Sequence, residues 1–447
     1  MKRNLASIII LLLSLFSFVD AQELENVVKH PGWSYDKTIY EVNIRQYTPE
    51  GTFKEFEKHL TQLKKMNVGI LWFMPVQPIG IKNRKGTLGS YYSVKDYKAV
   101  NPEFGTLNEF KAMVQKIHAM GMYVIIDWVA NHTAWDNIWM KEHPGFYTKD
   151  SLGSVVSPVP DWTDVADLDY SNKELWTEMI DALKFWVEEY DIDGFRCDVA
   201  GMIPLEFWIE ARKELDKIKP VFMLAEWDTP EMHKAFDMTY DWKTNKLMNS
   251  IAEGKKSTLD LIKHLKDDKK RYPPNAFRMQ FTSNHDENSW NGTVFERLAK
   301  GAASFAVFTC LIPDMPLVYS GQEAGLNKRL RFFDKDTIEW KKSRFRTLYT
   351  KMFRLKKTNK ALFNGIKGGE LKFINSSNNK SVLAFTRQKG KDKILALFNF
   401  SNNNVEAELE GKNLHGTYRE YFNGRIKIFS NKEKFTLYPW EYRVYVR

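Results

Sequence analysis

The sequence of 447 residues contains only 2 cysteines, which excludes a small scaffold held together by disulfides. It also lacks a strong excess of one charge, because 66 Lys and Arg face 56 Asp and Glu and the charges are scattered along the chain. Nucleic-acid binding is therefore not expected. No G-x-G-x-x-G turn follows an early strand, which argues against an open sheet that binds a dinucleotide.

Long hydrophobic runs are absent except near the first residue. Lys2 and Arg3 precede an apolar stretch over 5–19, which is followed by Ala21, an arrangement typical of a secretory signal peptide. The stretch is shorter than the ~20 residues that cross a bilayer. We therefore expect residues 1–21 to be removed, and the mature protein to be secreted or periplasmic without a membrane anchor.

Eight short runs rich in β-branched and aromatic residues alternate with stretches whose apolar residues recur at helical spacing. The predicted strands are 39–47, 68–76, 123–130, 194–200, 221–227, 236–242, 279–283 and 317–320. Eight strand-helix repeats predict the α/β class and a (β/α)8 TIM barrel, formed by residues 22–132 and 171–360. The connection 133–170, after the third strand, is rich in proline and glycine and predicts a loop-rich excursion beside the active face.

After about residue 360 the pattern changes to alternating strands. Examples are 381–387, 393–400, 404–409 and 434–446. Residues 361–447 are therefore predicted to form a separate C-terminal antiparallel β-sandwich. Cys197 and Cys310 both lie in apolar runs, so two packed free thiols are expected rather than a disulfide.

Polar residues mark four strand ends, where the reactive groups of a (β/α)8 barrel lie. They are Asp127 within the third strand and His132 just after it, Arg196 and Asp198 in the fourth, Glu226 in the fifth, and His285 and Asp286 just after the seventh. Because side chains alternate along a strand, Arg196 and Asp198 point to the same side. The guanidinium is expected to lower the pKa of Asp198, as a carboxylate nucleophile requires. Apolar surroundings are expected to raise the pKa of Glu226, which suits a general acid.

Two carboxyls with opposed pKa shifts on adjacent strands are the equipment for glycoside hydrolysis through a covalent intermediate. Asp286 is then the candidate for stabilising developing positive charge, while His132 and His285 donate hydrogen bonds to the same sugar. The alternative is a hard metal ion held by the four acids Asp127, Asp198, Glu226 and Asp286. Arg196 in the same cluster argues against a metal. Four tryptophans near the strand ends are candidate stacking platforms for sugars, namely Trp128, Trp162, Trp227 and Trp290.

These four segments, in this order and with these spacings, resemble the signature regions of the α-amylase family of glycoside hydrolases. The resemblance extends to residues 90–106, 166–170 and 319–323, and it covers roughly residues 35–360. It implies a retaining hydrolase that cleaves α-glucosidic bonds of starch-derived glucans or maltooligosaccharides by double displacement, without an organic cofactor. In the same comparison Asp198 is similar to the nucleophile, Glu226 to the acid/base and Asp286 to the transition-state stabiliser.

The resemblance also implies which residues hold the sugar next to the cleaved bond. These are Arg196, His132, His285 and Tyr92, with Tyr92 stacking on the ring and Asp127 supporting Arg196. Calcium-dependent members have a ligand at the position of Asn131, but they also carry a Lys-His pair where this chain has Ala200-Gly201-Met202. This departure argues against bound Ca²⁺.

Two alternatives share the same fold. An α-glucan transglycosylase would use the same catalytic residues and differ in the acceptor of the glycosyl group. A non-catalytic sugar-binding relative would lack one or more of the carboxyls, all three of which are present here. The choice between α-1,4 and α-1,6 linkages, endo or exo action and the oligomeric state stay open.

Overall fold

The computed structural model describes residues 28–447, so the predicted signal peptide lies outside the described residues. Its first ten strands are β1 (Ile39–Val42), β2 (Ile70–Phe73), β3 (Tyr123–Trp128), β4 (His132–Ala134), β5 (Val165–Asp167), β6 (Gly194–Cys197), β7 (Phe222–Ala225), β8 (Met238–Tyr240), β9 (Phe277–Phe281) and β10 (Met315–Tyr319). Eight of them close into a parallel barrel in the order β1-β10-β9-β8-β7-β6-β3-β2, and β2 pairs with β1 to close it. The predicted TIM barrel is confirmed.

The barrel strands are apolar throughout because both of their faces are covered. Side chains fill the barrel interior, including Ile39, Ile70, Trp72, Ile125, Leu224, Met279 and Leu317. The outer faces of the strands pack against the surrounding helices as a second, larger core. A filled interior leaves room for polar groups at the ends of the strands, where the predicted site residues lie.

Twelve α-helices accompany the strands in the described part of the chain. They are α1 (Ile44–Tyr47), α2 (Phe53–Glu57), α3 (Leu60–Lys65), α4 (Leu107–Ala119), α5 (Trp139–Glu142), α6 (Lys173–Tyr190), α7 (Leu205–Asp216), α8 (Trp242–Ala252), α9 (Thr258–Arg271), α10 (Val294–Leu298), α11 (Ala302–Leu311) and α12 (Arg344–Thr358). Local sequence sets several starts: Thr106 and Glu109 form a capping box before α4, and Asp241 accepts a hydrogen bond from the Thr244 amide to cap α8. None of these helices is both long and apolar enough to span a bilayer.

The excursion after β3 contains a small antiparallel pair, β4 with β5, in which His132 lies opposite Asp167. Helix α5 and irregular chain make up much of the rest. Tyr170, at the end of the excursion, donates a hydrogen bond to the carbonyl of Ala130 at 2.8 Å and thereby ties this region to the chain that follows β3. The excursion is thus attached to the barrel beside the predicted site.

The C-terminal strands are β11 (Glu370–Phe373), β12 (Asn375–Ser376), β13 (Val382–Lys389), β14 (Asp392–Asn399), β15 (Val405–Glu410), β16 (Gly416–Glu420), β17 (Ile426–Phe429), β18 (Lys432–Leu437) and β19 (Tyr442–Val446). They form a six-stranded sheet, β11-β13-β14-β19-β16-β17, and a three-stranded sheet, β12-β15-β18, with a core between them. The predicted β-sandwich is confirmed. The prediction of a single strand over 434–446 is wrong. The chain turns at Pro439 and Trp440 between β18 and β19, and the φ of Trp440 is 56°.

The barrel and the sandwich meet through α11. Phe308 on α11 packs edge-on against Phe398 on β14, with ring centroids 5.7 Å apart. Arg387 on β13 is 2% exposed, and its guanidinium donates to the carbonyls of Leu311 at 3.1 Å and Ile312 at 2.8 Å. One arginine of the sandwich therefore satisfies the last carbonyls of a barrel helix, which otherwise lack partners.

Replacing this arginine should weaken the whole chain. Arg387→Met removes the donors for these buried carbonyls, so we expect the free energy of unfolding to fall by at least about 2 kcal/mol. Chemical denaturation measures the change. The matched control is Arg419→Met, since Arg419 is exposed on β16 and should change stability by less than about 0.5 kcal/mol. Equal stability of the two variants would contradict this account of the junction.

Candidate active site

The centre of the site is Arg196, which is fully buried on β6. Its Nη1 donates to Asp127 Oδ1 and to Asp198 Oδ1, both at 2.9 Å. Its Nη2 lies 2.7 Å from Glu226 Oε1, and its Nε donates to the Tyr240 hydroxyl at 3.1 Å. One guanidinium thus gathers three carboxyls.

Strand register explains why these groups converge. Asp127 on β3 is the direct partner of Arg196 on β6. Asp198 and Glu226 each follow the last paired residues of β6 and β7, Cys197 and Ala225, so they leave the barrel side by side. Three neighbouring strands therefore bring three acids to one point, although these acids are far apart in the sequence.

The acids in this cluster are protonated more easily than free carboxyls. Burial raises the pKa of Asp198 to about 6, against the lowering effect of Arg196. Burial likewise raises the pKa of Glu226 to about 7, and that of Asp127 to about 6. The expected lowering of the Asp198 pKa is therefore wrong, because burial outweighs the neighbouring cation. The pKa of Glu226 is still higher than that of Asp198, so Glu226 keeps its proton more readily, as a general acid requires.

Asp286 and His285 form a second group, after β9. The His285 Nε2 lies 3.3 Å from Asp286 Oδ2 and 2.8 Å from the Tyr92 hydroxyl, and the Tyr92 and His285 rings stack with centroids 5.4 Å apart. Burial alone would raise the pKa of Asp286, but His285 and then Arg196 hold it below the usual range. Asp286 is thus an anion with 36% of its side chain exposed, while the ring beside it is buried.

His132 lies at the start of β4 and is 3% exposed. Burial lowers its pKa to about 3, so its imidazole is neutral at ordinary pH. The Asn131 amide donates to His132 Nδ1 at 3.3 Å, which places the ring proton on Nε2. The residue can therefore offer one neutral N–H donor.

Sequence reasoning missed four residues that complete the site. Tyr240 binds Arg196, Trp72 donates to Asp127 Oδ2 at 3.1 Å, and Glu41 contacts His285. Phe332, in the connection after β10, lies parallel to Tyr92 at 6.2 Å. Glu41 could have been found from the sequence, because it is an acid inside the apolar run of β1. The three aromatic residues could not, because aromatic side chains are also typical of the hydrophobic core.

The four tryptophans that are candidate stacking platforms for sugars differ in their exposure and surroundings. Trp128 is fully buried and packs against Phe195 with ring centroids 5.5 Å apart, so its assignment as a platform is wrong. Trp162 lies 5.4 Å from the His132 ring. Trp227 and Trp290 are 36% and 53% exposed. The last two present open aromatic surface beside the acids.

Ca²⁺ takes six to eight oxygen ligands, and no group of three His, Cys, Asp or Glu side chains converges around Asn131 among residues 28–447. The Asn131 carbonyl accepts from the Leu168 amide at 3.1 Å, and the side chain is bound to His132. Within residues 28–447, the one cluster of three metal-ligating side chains consists of Asp241, His264 and Asp268. Arg278 lies within 4 Å of both acids of that cluster, which makes it an ion-pair network.

The sequence of this chain is similar to those of known families and proteins. The family model for the catalytic domain of α-amylase matches residues 17–151 and 160–393, and that for the C-terminal domain of maltogenic amylase matches residues 371–444. The chain is 25% identical to α-amylase 2 of Dictyoglomus thermophilum over 452 residues, which cover 90% of this chain and 75% of the relative. It is 25% identical to a maltogenic α-amylase of Bacillus acidopullulyticus, with 87% of this chain and 69% of the relative covered.

Solved structures agree with this relationship. A maltogenic α-amylase from Thermotoga neapolitana superposes with a TM-score of 0.85 at 33% identity, covering 92% of this chain and 98% of the other. An α-amylase from Lactobacillus plantarum superposes with a TM-score of 0.83 at 29% identity, covering 92% and 99%. The likeness therefore includes the sandwich as well as the barrel.

Gly201 makes room for Trp227, because a Cβ on Gly201 would lie 2.0 Å from Cε2 of the indole. We expect Gly201→Ala to displace Trp227 and to raise the KM for maltooligosaccharides about threefold to tenfold, the loss of one aromatic contact. The kcat should change less, since Arg196 and its acids do not move. Steady-state kinetics and tryptophan fluorescence measure both effects.

The control for this substitution is Gly411→Ala, where a Cβ would meet its nearest atom only at 3.9 Å. Its kinetics should match those of the unmodified protein. An unchanged KM in Gly201→Ala together with altered fluorescence would show that Trp227 does not contact the sugar.

Proposed function

Because the chain belongs to the α-amylase family of glycoside hydrolases, we propose that it hydrolyses α-glucosidic bonds of maltooligosaccharides and related starch-derived glucans with retention of configuration. The observation that carries the proposal is the sharing of one buried guanidinium by Asp198 and Glu226. The names of the relatives support the substrate class: they include a maltogenic α-amylase, a cyclomaltodextrinase and a cyclomaltodextrin glucanotransferase.

The proposed reaction has two displacements. Asp198, ionised and held by Arg196, attacks the anomeric carbon, while Glu226 gives its proton to the leaving glycosidic oxygen. Glu226, now ionised, takes a proton from water as that water attacks the glycosyl ester, which frees Asp198. Asp286 faces the ring as an anion and stabilises the positive charge that develops in both transition states.

Sugar binding in this proposal falls to the remaining groups around the acids. The Tyr92 ring stacks on the sugar, His132 donates from Nε2, and His285 contacts the same sugar as a cation beside Asp286. Asp127 acts through Arg196. Trp227 and Trp290 extend the contact surface beyond the cleaved bond.

Export and the absence of a cofactor are part of the same proposal. The basic start, the apolar stretch and Ala21 support cleavage after residue 21 and a secreted or periplasmic enzyme. We propose that neither an organic cofactor nor Ca²⁺ takes part. The first residue of the protein recovered outside the cytoplasm tests the cleavage site, which should leave Gln22 at the N-terminus.

The activity is tested by incubating the purified protein with maltooligosaccharides, cyclodextrins and pullulan. New reducing ends are expected, and NMR of the first products should show the α-anomer. Products longer than the substrate would show transfer to a sugar hydroxyl and favour the transglycosylase alternative. No reaction with any of these glucans would refute the proposal.

Asp198→Asn should fold normally and lose several orders of magnitude in kcat, since the amide cannot form the glycosyl ester. The matched control is Asp193→Asn. Asp193 lies at the opposite end of the same strand, where it pairs with His118 at 2.8 Å, so its loss should affect stability and leave turnover within about twofold. Comparable loss of kcat in both variants would contradict the assignment.

The pH dependence of kcat/KM should be a narrow bell. Activity requires Asp198 ionised, so it rises as pH passes about 6, and it requires Glu226 protonated, so it falls as pH passes about 7. Initial rates between pH 4 and 9 at low substrate concentration give the profile. A rate that stays constant from pH 7 to 9 would show that Glu226 is not the acid.

A further inference from the structure

Glu41 is an acid that the reaction described above does not use. It lies in the middle of β1, is fully buried, and its Oε1 is 2.5 Å from Nδ1 of His285. Its other oxygen, Oε2, is buried and has no hydrogen-bond partner among the residues that the structure describes. Burying an ionised carboxyl this deeply is unfavourable unless a cation lies against it. The charge of Glu41 therefore depends on whether His285 is protonated.

The direction of the hydrogen bonds places a proton on each ring nitrogen. The Tyr92 hydroxyl donates its single hydrogen to Asp127 Oδ2 at 3.1 Å, so its oxygen accepts from His285 Nε2 at 2.8 Å. Nε2 therefore carries a proton. A second proton lies between Nδ1 and Glu41, and it belongs to the ring when Glu41 is ionised.

We propose that Glu41 is a positioning residue that keeps His285 doubly protonated, so that the ring binds the Tyr92 hydroxyl through Nε2 and stands as a cation beside Asp286. Glu41 itself does not reach the substrate, because it is fully buried. The inference rests on the proposed function for its consequence in catalysis, but the protonation of the ring does not depend on any substrate.

The surrounding charges act on both partners. Burial leaves the pKa of Glu41 above its usual value, although His285 and then Arg196, from β6, lower it. Burial alone would lower the pKa of His285, but Asp286 and Glu41 together raise it well above its usual value. Two tyrosines on the facing strands lie close enough to Glu41 for its charge to affect them. Burial raises the pKa of Tyr319 and of Tyr240 well above 10, and Glu41 raises it further, so both side chains stay neutral.

The direct test is Glu41→Gln, which keeps the shape and removes the charge. In protein labelled with ¹⁵N-histidine, long-range ¹H–¹⁵N spectra distinguish a charged ring from a neutral one, and the signals of His285 are those missing in His285→Gln. We expect the ring to stay charged from pH 5 to 8 in the unmodified protein. In Glu41→Gln it should lose a proton within this range.

Two further variants keep the test decisive. Glu41→Asp retains the charge and should restore the charged ring. Glu323→Gln is the matched control, since Glu323 is 2% exposed at the end of β10 and binds the Tyr40 hydroxyl at 2.6 Å, away from His285. It should lower stability and leave the His285 signals unchanged.

A ring that is neutral at pH 7 in the unmodified protein overturns the proposal, and this readout stands even if Glu41→Gln does not fold. A ring that stays equally charged in Glu41→Gln overturns it as well. An inactive protein with a charged ring refutes only the proposed function.

Kinetics separate positioning from a merely structural role. Relative to the unmodified protein at the same pH, Glu41→Gln should reduce kcat about tenfold or more at pH 7 and much less at pH 5, where the ring regains its proton. In the His285→Gln background the same change should cost less than about twofold, because both substitutions act on one interaction. An equal loss at every pH, or additive losses, would overturn the proposal.

Discussion

The buried charge of Arg196 is the constraint on which the rest of the barrel mouth depends. A cation at this depth is stable only if carboxyls surround it, and Asp127, Asp198 and Glu226 do so at 2.7 to 2.9 Å. The same contact fixes the positions of the two acids assigned to the reaction. Position and electrostatics therefore cannot be changed independently at this site, and an arginine that supports the nucleophile also limits where the acid can lie.

The balance of charges accounts for the protonation states. One guanidinium faces three carboxyls, so full ionisation would leave an uncompensated negative charge in a site of low polarity. Burial accordingly raises the pKa of all three, and Glu226, at about 7, is the one that keeps a proton most easily. The second group works in the same way, with His285 as the cation between Glu41 and Asp286. Burial, with the neighbouring carboxyls Asp198 and Asp286 adding to it, thus makes Glu226 a proton donor.

Much of this could be predicted from the sequence, and the omissions share one cause. The eight barrel strands and the acids at their ends are visible because apolar runs and polar ends are local features of the chain. Depth of burial is not local, which is why the direction of the Asp198 pKa shift was wrong and why Trp128 looked like a platform. Glu41 and Tyr240 were missed for a related reason, since their partners come from distant strands. The turn between β18 and β19 was lost because alternation continues across Pro439.

The backbone between the two catalytic acids adds a further link. Val199, directly after Asp198, has a φ of 36°, a left-handed conformation that costs a β-branched residue about 1–3 kcal/mol. In this conformation its amide donates to Glu226 Oε2 at 2.9 Å. Glu226 is therefore held from both sides, by Arg196 at one oxygen and by the chain that carries the nucleophile at the other. The strained turn thereby links the nucleophile to the acid through a backbone hydrogen bond, so that a shift of one would move the other, and their separation depends on this bond as well as on the shared guanidinium.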